Sequence, residues 1–276
     1  MGYSNKRIKL NNGSFIPSIG FGTSLIEGKE CVDLIKTAIE VGYNHIDTAA
    51  VYKNEKEIGQ AIKESNIKRE ELFITSKVWK DSMGYENTLK SFDNSLKNLN
   101  LEYIDLFLIH WPKNNDDKLN IDTWKALEKL YKEGKVKAIG LSNFLKHHLE
   151  IILNNCEIKP AVNQIEFHPG LMRTETIDFC KNNNIVVEAW APLGKGKMLS
   201  NDTLERIAGK YNKSVAKLCI KWCLQNEVIP LPKSSNRERM KQNLDVFDFE
   251  ISKEDMEIIN NMEFFAGSDM NPDSFN

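Results

Sequence analysis

The chain has 276 residues, with 37 Lys and Arg against 39 Asp and Glu for a formal net charge of −2. Its composition, 41% hydrophobic and 28% charged, is that of an ordinary globular protein and excludes collagen-like, disordered and disulfide-scaffold chains. The near-neutral charge also argues against nucleic acid or an anionic membrane as the main partner, because either requires a strong basic field.

The opening, MGYSNKRIKLNNG, has no apolar signal core, and Lys6 stands where a myristoylation motif needs Ser or Thr. It can form a hairpin at Asn12-Gly13. Brief apolar, β-branched runs then alternate with longer amphipathic stretches. The runs at 18–22, 43–47, 72–78, 103–110, 136–141, 161–167, 185–190 and 228–231 are the predicted strands. Trp124, Leu127, Leu130 and Tyr131 illustrate the stretches between them, since their spacing places one apolar stripe on a helix that Gly134 then terminates. Strands separated by crossover helices run parallel, and near-continuous apolar runs suit strands covered on both faces.

Without a linker or a shift in composition, the repeated unit predicts an α/β protein, a (β/α)8 TIM barrel forming a single domain over 1–276, preceded by the short hairpin. A doubly wound open sheet is the alternative. It would be supported by GxGxxG after the first strand, and the chain there reads Gly20-Phe-Gly-Thr-Ser-Leu25, without the third glycine. No apolar run approaches the ~20 residues of a membrane helix. The five cysteines, Cys31, Cys156, Cys180, Cys219 and Cys223, are odd in number and form no CxxC, which points to a reducing, cytoplasmic setting. Cys219 and Cys223 share a helix face and read as a buried pair. His147 and His148 read as helix-surface residues, and no third ligand completes a metal site with His45 or His168.

A parallel barrel builds its site at the carboxyl ends of its strands. The residues there are Asp47 with Tyr52 in the following loop, Lys77, His110, Ser142-Asn143, Gln164, Trp190, and Lys233-Ser234. Asp47, Lys77 and His110 lie about one strand–helix repeat apart and should rise from adjacent strands. A tyrosine, with a reference pKa of about 10, donates a proton poorly at neutral pH unless a neighbour stabilises its phenolate. The Lys77 ammonium would do so, Asp47 would hold Lys77 charged, and His110 could hydrogen-bond a substrate oxygen. Alone, Asp47 reads as a loop cap, Tyr52 as a surface aromatic and His110 as a satisfied histidine; their coincidence on one rim favours a device for protonating an oxyanion.

At these residues the chain resembles the aldo-keto reductase family, in particular bacterial members related to diketogluconate and glyoxal reductases. The segments that carry the resemblance are 42–49 (GYNHIDTA), 72–77 (LFITSK), 103–112 (YIDLFLIHWP), 134–144 (GKVKAIGLSNF), 161–169 (AVNQIEFHP) and 232–243 (PKSSNRERMKQN). The resemblance implies an NADP-dependent oxidoreductase that reduces carbonyls, with Tyr52 as proton donor, Asp47 and Lys77 tuning it, and His110 orienting the carbonyl. It also implies that Ser142, Asn143 and Gln164 bind the nicotinamide carboxamide and that Trp190 stacks on the ring. Strand-end capping remains open for Asn143 and Gln164, and core packing for Trp190.

By the same resemblance Lys233, Ser234 and Arg239 grip the 2′-phosphate, favouring NADP(H) over NAD(H). Asn243 would contact adenine beside Gln242, which stands where an acidic residue is more usual, and Thr23 and Asp47 would also border the cofactor. The loop 193–197, with Leu193, Gly194 and two lysines, reads as a pyrophosphate cover or a solvated turn. Ser24 stands where many relatives carry a pocket tryptophan, and 113–120 is short and polar, so an open pocket is expected. Trp79 and Trp111 would wall it beside Tyr52 and His110, although a core role is open for both, and the tail at 271–275 would lie over it. Small aldehydes and dicarbonyls are the implied substrates, with ketosugar acids as a further class, for a monomer with no nucleic-acid or membrane partner. The competing readings are a non-catalytic nicotinamide-binding regulatory subunit, which the intact catalytic set and the absence of an amino-terminal docking extension disfavour, and a barrel lyase or isomerase using Lys77 as a Schiff-base nucleophile, which gains nothing from Lys233 and Arg239.

Overall fold

The computed structural model describes residues 6–275; residues 1–5, on which the targeting expectation partly rests, lie outside them. A hairpin of β1 (Arg7–Lys9) and β2 (Phe15–Pro17) pairs Ile8 with Ile16. Its turn carries Asn12 and Gly13, the latter at φ +87°, a conformation glycine adopts without a Cβ penalty.

Eight parallel strands follow: β3 (Phe21–Gly22), β4 (His45–Asp47), β5 (Phe73–Val78), β6 (Ile104–Ile109), β7 (Val136–Ser142), β8 (Val162–Glu166), β9 (Val186–Trp190) and β10 (Val228–Leu231). Each pairs with the next in chain order. The ring closes where Gly20 N–H donates to Pro230 O at 3.0 Å and Gly22 N–H to Pro232 O at 3.2 Å. Proline has no N–H to return, so this seam is bonded from one side only. That is why the first strand's ladder is shorter than the predicted 18–22. A Cβ on Gly20 would lie 2.5 Å from Leu231 Cδ2 and 2.7 Å from His45 Nδ1. The glycines of the Gly-x-Gly step therefore serve the close approach of first and last strands.

The helices are α1 (Gly28–Val41), α2 (Glu55–Glu64), α3 (Tyr85–Leu99), α4 (Asp117–Lys132), α5 (Lys146–Leu153), α6 (Thr174–Asn182), α7 (Asp202–Lys210), α8 (Val215–Gln225), α9 (Arg237–Leu244) and α10 (Lys253–Asn260). Strict alternation fails late in the chain, where α7 and α8 both separate β9 from β10 and α9 and α10 follow the last strand. Helix α4 forms as its pattern predicts: Asp116 accepts from Leu119 N–H at 2.9 Å as N-cap, Trp124, Leu127 and Leu130 are buried, and Gly134 follows at φ +73°.

The apolar residues form two cores. The larger lies between strands and helices and includes the face of α8 with Cys219, Trp222 and Cys223, where Trp222 stacks on Phe167 at 4.5 Å. The smaller fills the lower barrel, where Leu10 and Ile16 from the hairpin plug the amino-terminal end against Leu106, Leu108 and Ile229. The upper interior is polar, so one mouth is sealed with hydrocarbon and the other is left to chemistry. All five cysteines are unpaired, and among the described residues no helix is long and apolar enough to cross a membrane.

Candidate active site

Asp47 ends β4, and a short 3-10 turn over Ala50–Tyr52 brings the tyrosine back over the barrel mouth. The turn is held by Asn54, whose Oδ1 accepts from Thr48 Oγ1 at 2.6 Å and whose Nδ2 donates to Thr23 O at 3.0 Å and Ile26 O at 2.9 Å. Sequence reasoning missed Asn54; its signal was an amide two residues after the candidate tyrosine, in a loop that must fold tightly. Thr23, expected near the cofactor, is buried and donates its Oγ1 to Asp47 O at 2.9 Å.

Parallel pairing sets Asp47 beside Thr75 of β5, so Lys77, two residues on, points into the same interior. Its ammonium donates to Asp47 Oδ1 at 2.7 Å, Asp47 Oδ2 at 2.9 Å and Thr48 O at 2.8 Å. All three hydrogens are engaged, and the side chain is fully buried. The ammonium sits 5.4 Å from the Tyr52 ring centroid, and the His110 ring meets Tyr52 edge-on at 5.6 Å. The four side chains named from spacing thus meet at one mouth.

Burial pulls the Lys77 ammonium down, but Asp47 and the Tyr52 oxygen outweigh it and leave it above its ordinary value, hence charged. Burial, then Lys77, holds His110 well below the usual imidazole range, so it is neutral. For Tyr52, burial raises the phenol more than Lys77 lowers it. The expected pull from Lys77 is present, but the net direction in the free protein is upward, because desolvation of the phenolate is the larger effect.

Ser142 and Asn143 end β7 and Gln164 lies on β8, with Ser142 in register with Gln164. Asn143, at φ +63°, donates Nδ2 to His110 O at 2.9 Å and to Ser142 Oγ at 3.1 Å, and its Oδ1 accepts from Trp190 Nε1 at 2.8 Å. Its rim role is therefore partly structural: it ties β6, β7 and β9 together and fixes the Trp190 ring by one edge. Gln164 Nε2 donates to Asp47 Oδ2 at 2.8 Å. These residues could hold a carboxamide against the indole face.

Lys233, Ser234 and Arg239 flank the start of α9 at the surface, with Lys233 Nζ donating to Ser24 O at 2.9 Å. Arg237 is engaged with Glu40 at 2.7 Å, which leaves Lys233, Ser234 and Arg239 as the donor set that fits a phosphate dianion. Gln242 is exposed, whereas Asn243 is buried near Tyr43, whose hydroxyl donates to Met240 O at 3.3 Å. Leu193 and Gly194 begin a turn whose Lys197 Nζ donates to Gly267 O at 3.3 Å, tying it to the tail.

The tail crosses the mouth. Glu166, not singled out from sequence, anchors it by accepting from Ser268 N and Oγ, each at 2.7 Å. Asn114 Nδ2 donates to Pro272 O at 3.0 Å, and His147 pairs with Asp273 at 2.9 Å. Phe275 then packs on Trp111 at 4.2 Å between centroids and on Trp79 at 6.2 Å, while Trp79 meets His110 at 5.0 Å. The wall around Tyr52 and His110 is Trp79, Trp111 and Phe275, so the tail, not a long loop after β6, supplies its cover.

One surface assignment is corrected. His147 is exposed, but His148 is buried at 8% exposure and its Nδ1 accepts from Leu145 N–H at 3.2 Å, because at the third position of α5 its ring folds back over the helix start. Donor atoms of His147, His148 and Asp273 lie within 4.8 Å of one another. With Nδ1 accepting, His148 carries its proton on Nε2, which suits a hydrogen bond to the tail and not a metal ion.

A barrel whose mouth gathers a phenol, a buried Lys–Asp pair and an imidazole beside an amide row and a cationic surface defines a carbonyl-chemistry oxidoreductase. The chain matches the Aldo/keto reductase family over residues 18–263 and belongs to that family. It is 52% identical to a glyoxal reductase from Bacillus subtilis, covering 96% of each chain. It also resembles the crystal structure of an aldo-keto reductase from a Medee basin deep-sea metagenome library, with TM-score 0.93, 46% identity and coverage of 98% of this chain and 100% of that one. A Bombyx mori aldo-keto reductase solved in complex with NADP matches with TM-score 0.87 and 34% identity over 93% of this chain and 92% of that one.

Proposed function

We propose that this protein is an NADPH-dependent reductase of small aldehydes and dicarbonyls such as methylglyoxal, working as a monomeric single domain over 1–276 in the cytoplasm. The observation that carries the reading is the Lys77 ammonium, saturated by Asp47 and Thr48 at 2.7–2.9 Å, beside the Tyr52 phenol at the barrel mouth. The Bacillus relative's name, glyoxal reductase, supports the dicarbonyl class, and the NADP-bound Bombyx structure supports the cofactor.

When bound, reduced nicotinamide supplies a hydride to the carbonyl carbon. Ser142, Asn143 and Gln164 orient the carboxamide, Trp190 offers the stacking face, and Lys233, Ser234 and Arg239 hold the 2′-phosphate. Neutral His110 donates a hydrogen bond to the substrate oxygen and sets its angle. Tyr52 passes its phenolic proton to that oxygen as negative charge develops there, and Lys77 stabilises the phenolate left behind. Asp47 keeps Lys77 charged and aimed. Trp79, Trp111 and Phe275 exclude water from the reacting carbonyl.

The test is to follow NADPH consumption with methylglyoxal, small aldehydes and ketosugars. Turnover with dicarbonyls supports the reading, whereas tight NADPH binding with no turnover of any carbonyl would replace it with the regulatory-subunit reading.

A further inference from the structure

Gln164 Nε2 donates to Asp47 Oδ2 at 2.8 Å and also to Glu188 Oε2 at 3.0 Å. The pairing of β8 with β9 sets Gln164 opposite Glu188. An amide nitrogen carries two hydrogens, and two carboxyl oxygens take both. Only the NH2 end can serve two acceptors, so the carbonyl oxygen of Gln164 faces away from them and is left for a ligand.

Glu188 is fully buried. Its Oε1 has no hydrogen-bond partner among the described residues, and the nearest basic atom, His45 Nε2 at 3.7 Å, bonds Thr75 Oγ1 at 3.1 Å. Lys77 commits its three donors to Asp47 and Thr48, so no ammonium hydrogen reaches Glu188. An ionised Glu188 would sit beside a second carboxylate with one neutral hydrogen bond and no counter-ion contact, an arrangement that buried charges avoid by taking up a proton.

We infer that Glu188 is held as a neutral carboxylic acid and is a positioning residue, turning the Gln164 amide so that its carbonyl oxygen meets the carboxamide NH2 of the cofactor. The consequence for catalysis rests on the NADPH reading; the protonation state does not. The surroundings agree. Burial, then Asp47, pushes the Glu188 carboxyl up to about 8 against the opposing pull of Gln164 and Lys77. Burial, then Lys77, brings His45 down to about 3, so it is no counter-ion. Facing Glu188 are His45 and Asp47 from β4, Lys77 from β5 and Gln164 from β8, with Glu166 one step nearer the mouth, bonded to Ser268. Strand β10 and the rest of β9 add no titratable group. Once ionised, Glu188 adds a negative charge beside Asp47, makes the Tyr52 phenolate harder to form and slows reduction at alkaline pH.

The experiment compares the full-length protein with Glu188→Gln, which mimics the neutral acid. Infrared difference spectra of the cofactor-free protein should show a carboxylic-acid carbonyl band that E188Q lacks and that disappears in the wild type as pH rises through about 8. E188Q should keep kcat within about twofold at neutral pH and move the alkaline limb of its profile up by about one pH unit or more. Glu188→Leu, which removes the acceptor, should weaken NADPH binding by about three- to tenfold in a fluorescence titration. A wild-type spectrum with no such band at neutral pH, or an E188Q limb identical to wild type, overturns the inference. If E188Q fails to fold, the wild-type infrared titration decides alone. A wild type that shows the band yet reduces no carbonyl would sink the functional reading and leave the protonation state standing.

Discussion

Replacing Tyr52 by Phe removes the hydroxyl while keeping the ring against His110 and Lys77. The proton then has no donor, and kcat should fall by about 10²- to 10⁴-fold with the NADPH dissociation constant unchanged, as steady-state kinetics and fluorescence titration would read. Near-normal turnover would assign the proton elsewhere. Lys77→Met is a harsher change, because it leaves Asp47 buried without its counter-ion. Breaking such a pair costs about 3–5 kcal/mol, and calorimetry should register a melting temperature lower by roughly ten degrees. Asp47→Asn in the same chain should restore part of that stability without restoring activity. At the surface, Arg239→Ala should weaken NADPH much more than NADH; equal losses would show that the phosphate is held by other groups.

The seam and the tail carry the predictions for elements. Gly20→Ala forces a Cβ to within 2.5 Å of Leu231 Cδ2 and 2.7 Å of His45 Nδ1, at the one place where the ring is bonded only through proline carbonyls. Overpacking of this kind costs about 1–3 kcal/mol, and denaturant unfolding should show it. The tail is held by the buried Glu166 carboxylate and by the His147–Asp273 pair, whose members are about half exposed. An exposed pair contributes only about 0.2–1 kcal/mol, so Glu166 and the packing of Phe275 should matter more. Phe275→Ala should raise KM for bulky aromatic aldehydes more than for methylglyoxal, while the melting temperature hardly moves. Equal effects on both substrates would mean that the ring does not wall the pocket.

Across the whole molecule, buried titratable groups set how stability follows pH. His45, about 3 when folded, and His148, about 4, are both depressed from 6.5 by burial first, so the unfolded chain binds the extra protons and stability is lost as pH falls below 6.5. Glu188, raised from 4.5 to about 8 chiefly by burial, binds its proton in the folded state, so its contribution is lost as pH rises through that window. The opposing slopes overlap between 4.5 and 6.5, where the single carboxyl cancels only one of the two histidines and stability still rises with pH; above 6.5 the carboxyl acts alone, giving a decline toward pH 8 that thermal melts should show and that Glu188→Gln should flatten. An unchanged alkaline slope in that variant would place the proton uptake elsewhere.

Much of this arrangement was legible in the linear chain. Strands buried on both faces read as short apolar runs, and a parallel barrel places the residue after each run on one rim, so Asp47, Lys77, His110 and Gln164 could be named from spacing alone. Glu166 and Glu188 were not named, because their roles depend on partners far away in the chain, the tail and the Gln164 amide, and Asn54 offered only the weak signal of an amide close behind Tyr52. Local periodicity, carried by side-chain alternation and helix pitch, determined the order of elements and the contents of the rim. The tertiary structure alone decided which end of the Gln164 amide meets Asp47 and Glu188, that Tyr52 loses more to desolvation than it gains from Lys77, and that the tail closes on Trp111 through Phe275. Those outcomes depend on distances between groups far apart in the chain, and Coulomb, desolvation and hydrogen-bond energies change steeply with distances that no sequence pattern encodes.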